Sequence, residues 1–513
     1  MSTTRRDFIK TISTMTVAGL AGNIACNKNP SDVSIKNVIC IIGDDHAANV
    51  LGCYGNLKIQ TPNLDRMASQ GVRFTQAFAN APVCSASRQS ILTGKYPHAT
   101  GVTLLRTSFP EEQVTIAEHL KQAGFKTAVI GKTHFNNNLS HGFDHRITHQ
   151  HYQEHLKENS PKSIPDHIKT RPPWKPFQDP AQIWLNADSN PSALYDRDTE
   201  STFVIQETIK FIEKNQKSRF CLWVGFHEPH SPFHFPIEWA GKYKPEDMPL
   251  PDGSSEDDRW IPKIFRDLSD KDKQGIIASY YMSVSYLDYQ VGKILDHLKE
   301  SGLDKETLII YIGDQGYLLG DHKRFEKHTM WEEAIRSPLI IQAGNRFENG
   351  IQTEALTEFV DLAPTILDVL GVPPMAELQG KSLLSLLEGK TNEHKEMVFS
   401  EFLCDNKAMV RTREWKYIFT TGKRDLGQGY ETGYSPPGIT HRLYHLKSDP
   451  KETTNVAGDS TNQEILSLLQ QKMLNIFIET HPLASQLPAG LTIDQQLVWF
   501  CEPPDMNADL NAK

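Results

Sequence analysis

The chain has 513 residues, 38% of them hydrophobic and 23% charged, with a formal net charge of -9. That length exceeds one simple core and predicts a large domain with a smaller companion, and the composition excludes wholesale disorder. Residues 1–25 carry Arg5, Arg6 and Lys10 against Asp7, so the remainder is more acidic still and nucleic-acid binding is excluded.

The first element is an address. Thr4-Arg5-Arg6-Asp7-Phe8-Ile9-Lys10 precedes a modest apolar stretch from Ile12 to Ala25, too short and polar for a good membrane span. It reads as a twin-arginine export signal over residues 1–26, with the twin-arginine machinery as partner. Asn23-Ile24-Ala25-Cys26 resembles a lipoprotein cleavage site with Cys26 lipidated; the alternative is ordinary cleavage near Ala25. The expected location is the periplasm or the cell surface as a lipoprotein. The seven cysteines (Cys26, Cys40, Cys53, Cys84, Cys221, Cys404 and Cys501) contain no C-x-x-C pair and no zinc spacing. Cys40 and Cys221 lie inside apolar runs and read as inert buried thiols.

From residue 34 to 390 short apolar runs alternate with helical patterns. Val38–Ile42, Thr127–Ile130, Phe220–Gly225, Thr307–Ile312 and Leu339–Gln342 read as buried strands of a parallel sheet, which predicts a doubly wound α/β domain. Ligands of such sheets bind at the carboxyl ends of the strands. The first run ends in Gly43-Asp44-Asp45 and the fourth in Gly313-Asp314-Gln315. Three carboxylates and an amide oxygen at one edge suit a hard divalent cation, calcium better than zinc, whereas either Gly-Asp alone would read as a turn or cap. The second run ends in Gly131-Lys132-Thr133-His134 and the third in Phe226-His227-Glu228-Pro229-His230, which adds cations and imidazoles.

Residues 82–94 predict a helix closed by Gly94, with Cys84 at its N-terminus and Arg88 on the same face. Residues 136–196 and 236–272 are polar, weakly periodic excursions near the cleft. Beyond residue 390 the pattern changes to short strands at Glu396–Phe402, Ala408–Arg411 and Lys416–Thr420, then a helix near Glu464–Ile478, a small α+β domain over 391–485. Residues 486–513 form a tail in which Trp499-Phe500 is expected to fold back on the body.

Cys84-Ser85-Ala86-Ser87-Arg88 with Leu92-Thr93-Gly94-Lys95 resembles the signature of the formylglycine-dependent sulfatases, which implies an alkaline phosphatase-like fold with a mixed, mostly parallel central sheet. Further landmarks follow in family order: Gly131-Lys132-Thr133-His134, Pro229-His230, Gly313-Asp314-Gln315-Gly316, Lys327 before Glu332-Glu333-Ala334, and Asp361-Leu362-Ala363-Pro364-Thr365. The resemblance runs from about Asn37 to about Gly458.

It implies that a maturation enzyme oxidises Cys84 to formylglycine, and that Asp44, Asp45, Asp314 and Gln315 hold one calcium ion beside it. Arg88 and Lys132 would steady the nucleophile and nascent sulfate, His134 would accept a proton, and His230 and Lys327 would hold sulfate and serve the leaving alkoxide. His227 lies near the cleft by sequence and reads either as a site residue or as a rim or structural one. Ala86 replaces the family's commoner proline, which bears on which maturation enzyme accepts the chain, and Gln315 replaces its commoner asparagine.

The expected substrate is a sulfated polysaccharide or its oligosaccharides. The alternatives are a small aryl or alkyl sulfatase, a phosphonate or phosphate ester hydrolase of the same fold, or a non-catalytic glycan-binding protein.

Overall fold

All five apolar runs are strands of one sheet. In the computed structural model, which describes residues 34–135, 139–172, 180–251, 253–259, 261–403, 406–421 and 438–502, the sheet has eight strands. Their order is Ile351–Thr353, Val72–Phe74, Leu339–Gln342, Thr307–Gly313, Asn37–Gly43, Phe220–Gly225, Lys126–Gly131 and His145–Ile147. The segments around Arg5, Arg6 and Cys26, as well as Cys404, lie outside the described residues.

The central strand shows why continuous apolar runs are required. Val38, Cys40 and Ile42 face one layer with the helices Cys84–Thr93, Ile116–Gln122 and Leu362–Leu370. Ile39 and Ile41 face the other, against Pro62–Ser69, Glu200–Asn215 and the 31-residue helix Asp270–Glu300. Both faces are covered, so neither admits polar residues. The long helix starts where Ser269 and Asp272 form a capping box.

One strand makes the sheet mixed, as the resemblance implies, although its own apolar run reads as parallel. Leu339–Gln342 runs antiparallel to both neighbours, with Ile340 opposite Tyr311 and Arg73. A parallel return needs a crossover helix long enough to span the sheet. Residues 314–338 contain only the four-residue α-helix Glu332–Ile335, so the chain re-enters from the edge at which it left.

The carboxyl ends line up at that edge. Gly43 is in register with Gly313, and Gly131 with Gly225. Glycine at 131 is obligatory: its φ is +92°, and a Cβ there would lie 2.0 Å from the Gly225 carbonyl oxygen. A Cβ on Gly225 would meet the Lys132 carbonyl oxygen at 2.1 Å. Bare backbone at both positions lets the loops that follow close on one another.

The two polar excursions carry a core of their own. Trp184, Leu185, Phe235, Met248 and Phe265 pack with Tyr280 of the long helix, so these segments form a wall of the cleft. Their few apolar residues are scattered, which hides a packed layer from a periodicity search.

After residue 390 comes an antiparallel sheet of Val398–Phe402, Lys407–Arg411, Trp415–Thr420 and Thr440–His445. Phe399, Val410, Tyr417 and Leu443 face the helices Gln463–Thr480 and Ile493–Phe500, and Phe500 stacks on Phe477 at 5.1 Å. Val398, Met409, Ile418 and Tyr444 face the other way, onto Val83, Ala86 and Leu104. The smaller sheet thus buttresses the helix that begins at Cys84.

Candidate active site

Cys84 is the first residue of the helix Cys84–Thr93, all ten of whose residues are buried. Its side chain lies beside free backbone N–H groups, an environment that attracts anions. Three successive side chains of this helix tie the strand ends together. Ser87 donates to the backbone oxygen of Asp314, and Arg88 Nε donates to Asp314 Oδ2 at 2.8 Å. Arg88 Nη1 donates to the Lys132 carbonyl at 2.9 Å, and Gln89 Nε2 to the His134 carbonyl at 2.7 Å.

Around Cys84 the sequence-predicted residues converge. Lys327 Nζ lies 3.0 Å from Cys84 Sγ and donates to Asp45 Oδ1 at 2.5 Å. Lys132 Nζ pairs with Asp44 Oδ2, and Gln315 Nε2 donates to Asp45 Oδ1. His230 Nε2 lies 3.7 Å from Asp45 Oδ2. Asp45 adopts φ +64°, held by its N–H donating to Asp314 Oδ1 at 3.0 Å and its carbonyl accepting from Tyr280 at 2.5 Å.

The electrostatics assign protonation states. Burial raises the Asp45 carboxyl and would lower Lys327, but the neighbouring carboxylates and Cys84 hold the Lys327 ammonium above its ordinary value. Burial, with Lys327 nearby, pulls Lys132 down to about 7, and contact with Asp44 keeps the proton in place. His134 is pushed well below the ordinary histidine value by dehydration and by Lys132 and Arg88. Its ring is exposed on one side, which tempers the dehydration, but the cations act the same way and leave the imidazole neutral. His230 is likewise lowered, by burial and by Lys327 and Lys132, and its Nδ1 faces the Ser231 carbonyl at 2.8 Å.

The Cys84 thiol moves against reactivity. Burial, together with Asp314 and Asp45, pushes it up to about 11 in spite of Lys327. Nucleophilic cysteines show the opposite shift. As a thiol, this side chain is a poor nucleophile at neutral pH.

The donor set fits a hard cation. One ligand atom from each of Asp44, Asp45, Cys84 and His230 lies within 4.8 Å of all the others. Among the described residues Asp44 Oδ1 and Gln315 Oε1 are buried oxygens without a hydrogen-bond partner, and a cation would satisfy both. Asp314 stands one hydrogen bond behind, each oxygen already accepting an N–H and keeping a second lone pair. His230, expected to hold sulfate and serve the leaving alkoxide, also joins the cluster.

His227 lies at the rim, where its Nδ1 and that of His149 approach Glu200 Oε2 at 3.3 and 2.9 Å. Sequence reasoning missed His149 and Glu200, which come from separate helices and match no local pattern. Leu105, His234 and His328, also unpredicted, line the cavity of about 290 Å³ above Cys84. His234 was within reach, since it follows the histidine-rich strand end by four residues.

Residues 36–372 match the family model described as Sulfatase. The chain belongs to the sulfatase family. Residues 320–479 of this sulfatase also match the model described as N-sulphoglucosamine sulphohydrolase, C-terminal. It is 26% identical to an N-acetylglucosamine-6-O-sulfatase of Bacteroides thetaiotaomicron, over 90% of each chain. Among solved structures, a phosphonate monoester hydrolase of Agrobacterium radiobacter has the same fold, with a TM-score of 0.73, 23% identity and coverage of 87% of this chain and 96% of that one. A structure in complex with its substrate D-glucosamine-2-N,6-O-disulfate shares it at a TM-score of 0.68, 23% identity and coverage of 87% and 98%. The protein is a sulfuric ester hydrolase, and its large domain has the alkaline phosphatase-like architecture.

Proposed function

We propose that this sulfatase removes sulfate from a sulfated polysaccharide or its oligosaccharides, using Cys84 after oxidation to formylglycine and one calcium ion. The carrying observation is the setting of Cys84, with a helix N-terminus on one side, Lys327 Nζ at 3.0 Å and a carboxylate cluster adjoining. The thiol is the wrong nucleophile for this setting. A hydrated aldehyde supplies what it lacks, one hydroxyl to attack sulfur and a second whose proton can leave when sulfate is expelled. Asp44, Asp45, Asp314 and Gln315 would hold the calcium, which lowers the cost of negative charge at the sulfuryl group.

The other residues divide the remaining work. Arg88 and Lys132 hold the anionic sulfuryl oxygens by charge-assisted hydrogen bonds. Neutral His134 accepts the proton released at Cys84. The His230 proton is committed to the Ser231 carbonyl through Nδ1, so Nε2 accepts and cannot donate. Lys327 keeps its charge and serves the departing alkoxide. His134→Ala is expected to lower kcat by about 10²–10⁴-fold with little change in KM; a change in KM alone would contradict its role as a base.

The sugar assignment draws on the N-acetylglucosamine-6-O-sulfatase relative and the disulfated glucosamine complex. A panel of sulfated oligosaccharides, an aryl sulfate and a phosphonate monoester tests it. Turnover of the sulfated sugars is expected to exceed the others in kcat/KM, and preference for the phosphonate would replace the reading. Arg5 and Arg6 support export by the twin-arginine route to the periplasm or cell surface, with Cys26 as the residue to be lipidated. Export that persists when both arginines are replaced by lysine would overturn it.

A further inference from the structure

The cavity above Cys84 is larger than a sulfate needs, and its lining includes a histidine whose tautomer is fixed by a neighbouring guanidinium. His234 lines this cavity, and Arg171, delivered by the polar excursion, donates from Nη2 to His234 Nδ1 at 2.9 Å. Arg171 is held in turn by its backbone N–H donating to the Pro191 carbonyl at 2.9 Å. A guanidinium carries only donors. His234 Nδ1 must therefore be the bare, accepting nitrogen, and the proton of the neutral ring sits on Nε2.

No hydrogen bond reaches His234 Nε2 among the described residues. The ring thus offers an N–H to whatever fills the cavity, with a cation directly behind it to strengthen the donation. Burial lowers Arg171 only to about 10, so it remains charged at neutral pH. His234 lines the same cavity as Cys84 and Lys327, so a substrate with its scissile sulfate over Cys84 shares that space with His234.

We propose that His234, positioned by Arg171, reads a second anionic substituent of the substrate, a carboxylate or a further sulfate on the leaving sugar. The inference rests on the sulfated-sugar reading and narrows it to polyanionic glycans. A neutral hydroxyl could accept the same hydrogen bond, but it gains little from the charge of Arg171, whereas an anion gains from both groups. His234 is a specificity residue in contact with substrate, and Arg171 is a positioning residue that acts through it.

The test compares the full-length enzyme with His234→Ala, His234→Gln, Arg171→Gln and Arg171→Lys. The substrates are an aryl sulfate, a monosulfated neutral disaccharide, and that disaccharide bearing either a uronate carboxylate or a second sulfate. The wild type is expected to prefer the doubly anionic disaccharides by at least about tenfold in kcat/KM, and the two arms identify which anion is read. His234→Ala and Arg171→Gln are expected to lose about 10–100-fold on those substrates, chiefly in KM, as for one charge-assisted hydrogen bond. Loss on aryl sulfate should be at least tenfold smaller, which also reports that the variants fold. His234→Gln keeps an N–H donor and Arg171→Lys a cationic one, so both should retain most of the preference. Equal losses on every substrate, or sugar turnover indifferent to the second anion, overturn this inference alone. Aryl sulfate turnover without turnover of any sulfated sugar overturns the substrate reading and the inference with it.

Discussion

Cys84→Ala is expected to abolish sulfate ester hydrolysis, with a loss on the order of 10⁶-fold, as for other enzymes deprived of their nucleophile. The fold should survive, because Ala86 and the apolar positions that hold the helix against the smaller sheet are untouched. The substitution leaves Lys327 paired with Asp45 and removes only its contact with sulfur. The companion measurement is the mass of the peptide containing Cys84 in active wild-type protein. Formylglycine is expected there; full activity from a preparation whose Cys84 is still a thiol would end the mechanism and leave the family assignment standing.

Exhaustive chelation is expected to cost about 10²–10⁴-fold in kcat, the several kcal/mol that a metal contributes to charge stabilisation. Calcium should restore activity. Mutation is harder to read at some positions than at others. Asp314→Ala would strip Arg88 Nε of its partner in a buried ion pair, a change that costs about 3–5 kcal/mol of stability whatever the metal does. Asp44→Asn also weakens the buried pair with Lys132, so it is read by its calcium dependence and not by rate alone; it keeps the side chain's shape and alters Oδ1, which has no hydrogen-bond partner among the described residues. It should raise the calcium concentration needed for half-maximal rate. Rates indifferent to chelator and to Asp44→Asn would remove the cation from the site.

The sheet and the chemistry at its edge were largely legible from the sequence. Strands buried on both faces, such as Asn37–Gly43, leave an unbroken apolar run, and residues that follow such runs are forced to one edge. The direction of Leu339–Gln342 was not legible, because it depends on the path of residues 314–338 and not on the composition of the strand. The strands Val72–Phe74, His145–Ile147 and Ile351–Thr353 are three residues each, too short to show a period. Within the site, residues next to strand ends and those carried by the motif around Cys84 or by the family landmark at Lys327 were found, and those brought in from elsewhere were not. Glu200 begins a helix and Arg171 sits in a polar excursion, so only the assembled structure pairs them with His227 and His234.

The burial of Cys84 sets a timetable as well as a site. At 1% exposure in the folded chain, its sulfur is beyond the reach of another protein's active site. Several of the groups that enclose it arrive very late in synthesis: Asp314 and Lys327 lie more than two hundred residues downstream, and the strand Thr307–Gly313 must pair with Asn37–Gly43 before Asp314 reaches Arg88. Between the emergence of Cys84 from the ribosome and the closing of that pair, the thiol is open to the proposed maturation enzyme; afterwards access is through the cavity of about 290 Å³ that it lines, too small for another protein's active site. Slow completion of a sheet from distant strands, ordinarily a hazard of such topologies, here keeps that interval open. On the proposed reading, oxidation of Cys84 is thereby tied to the nascent chain and would precede passage of the folded enzyme across a membrane.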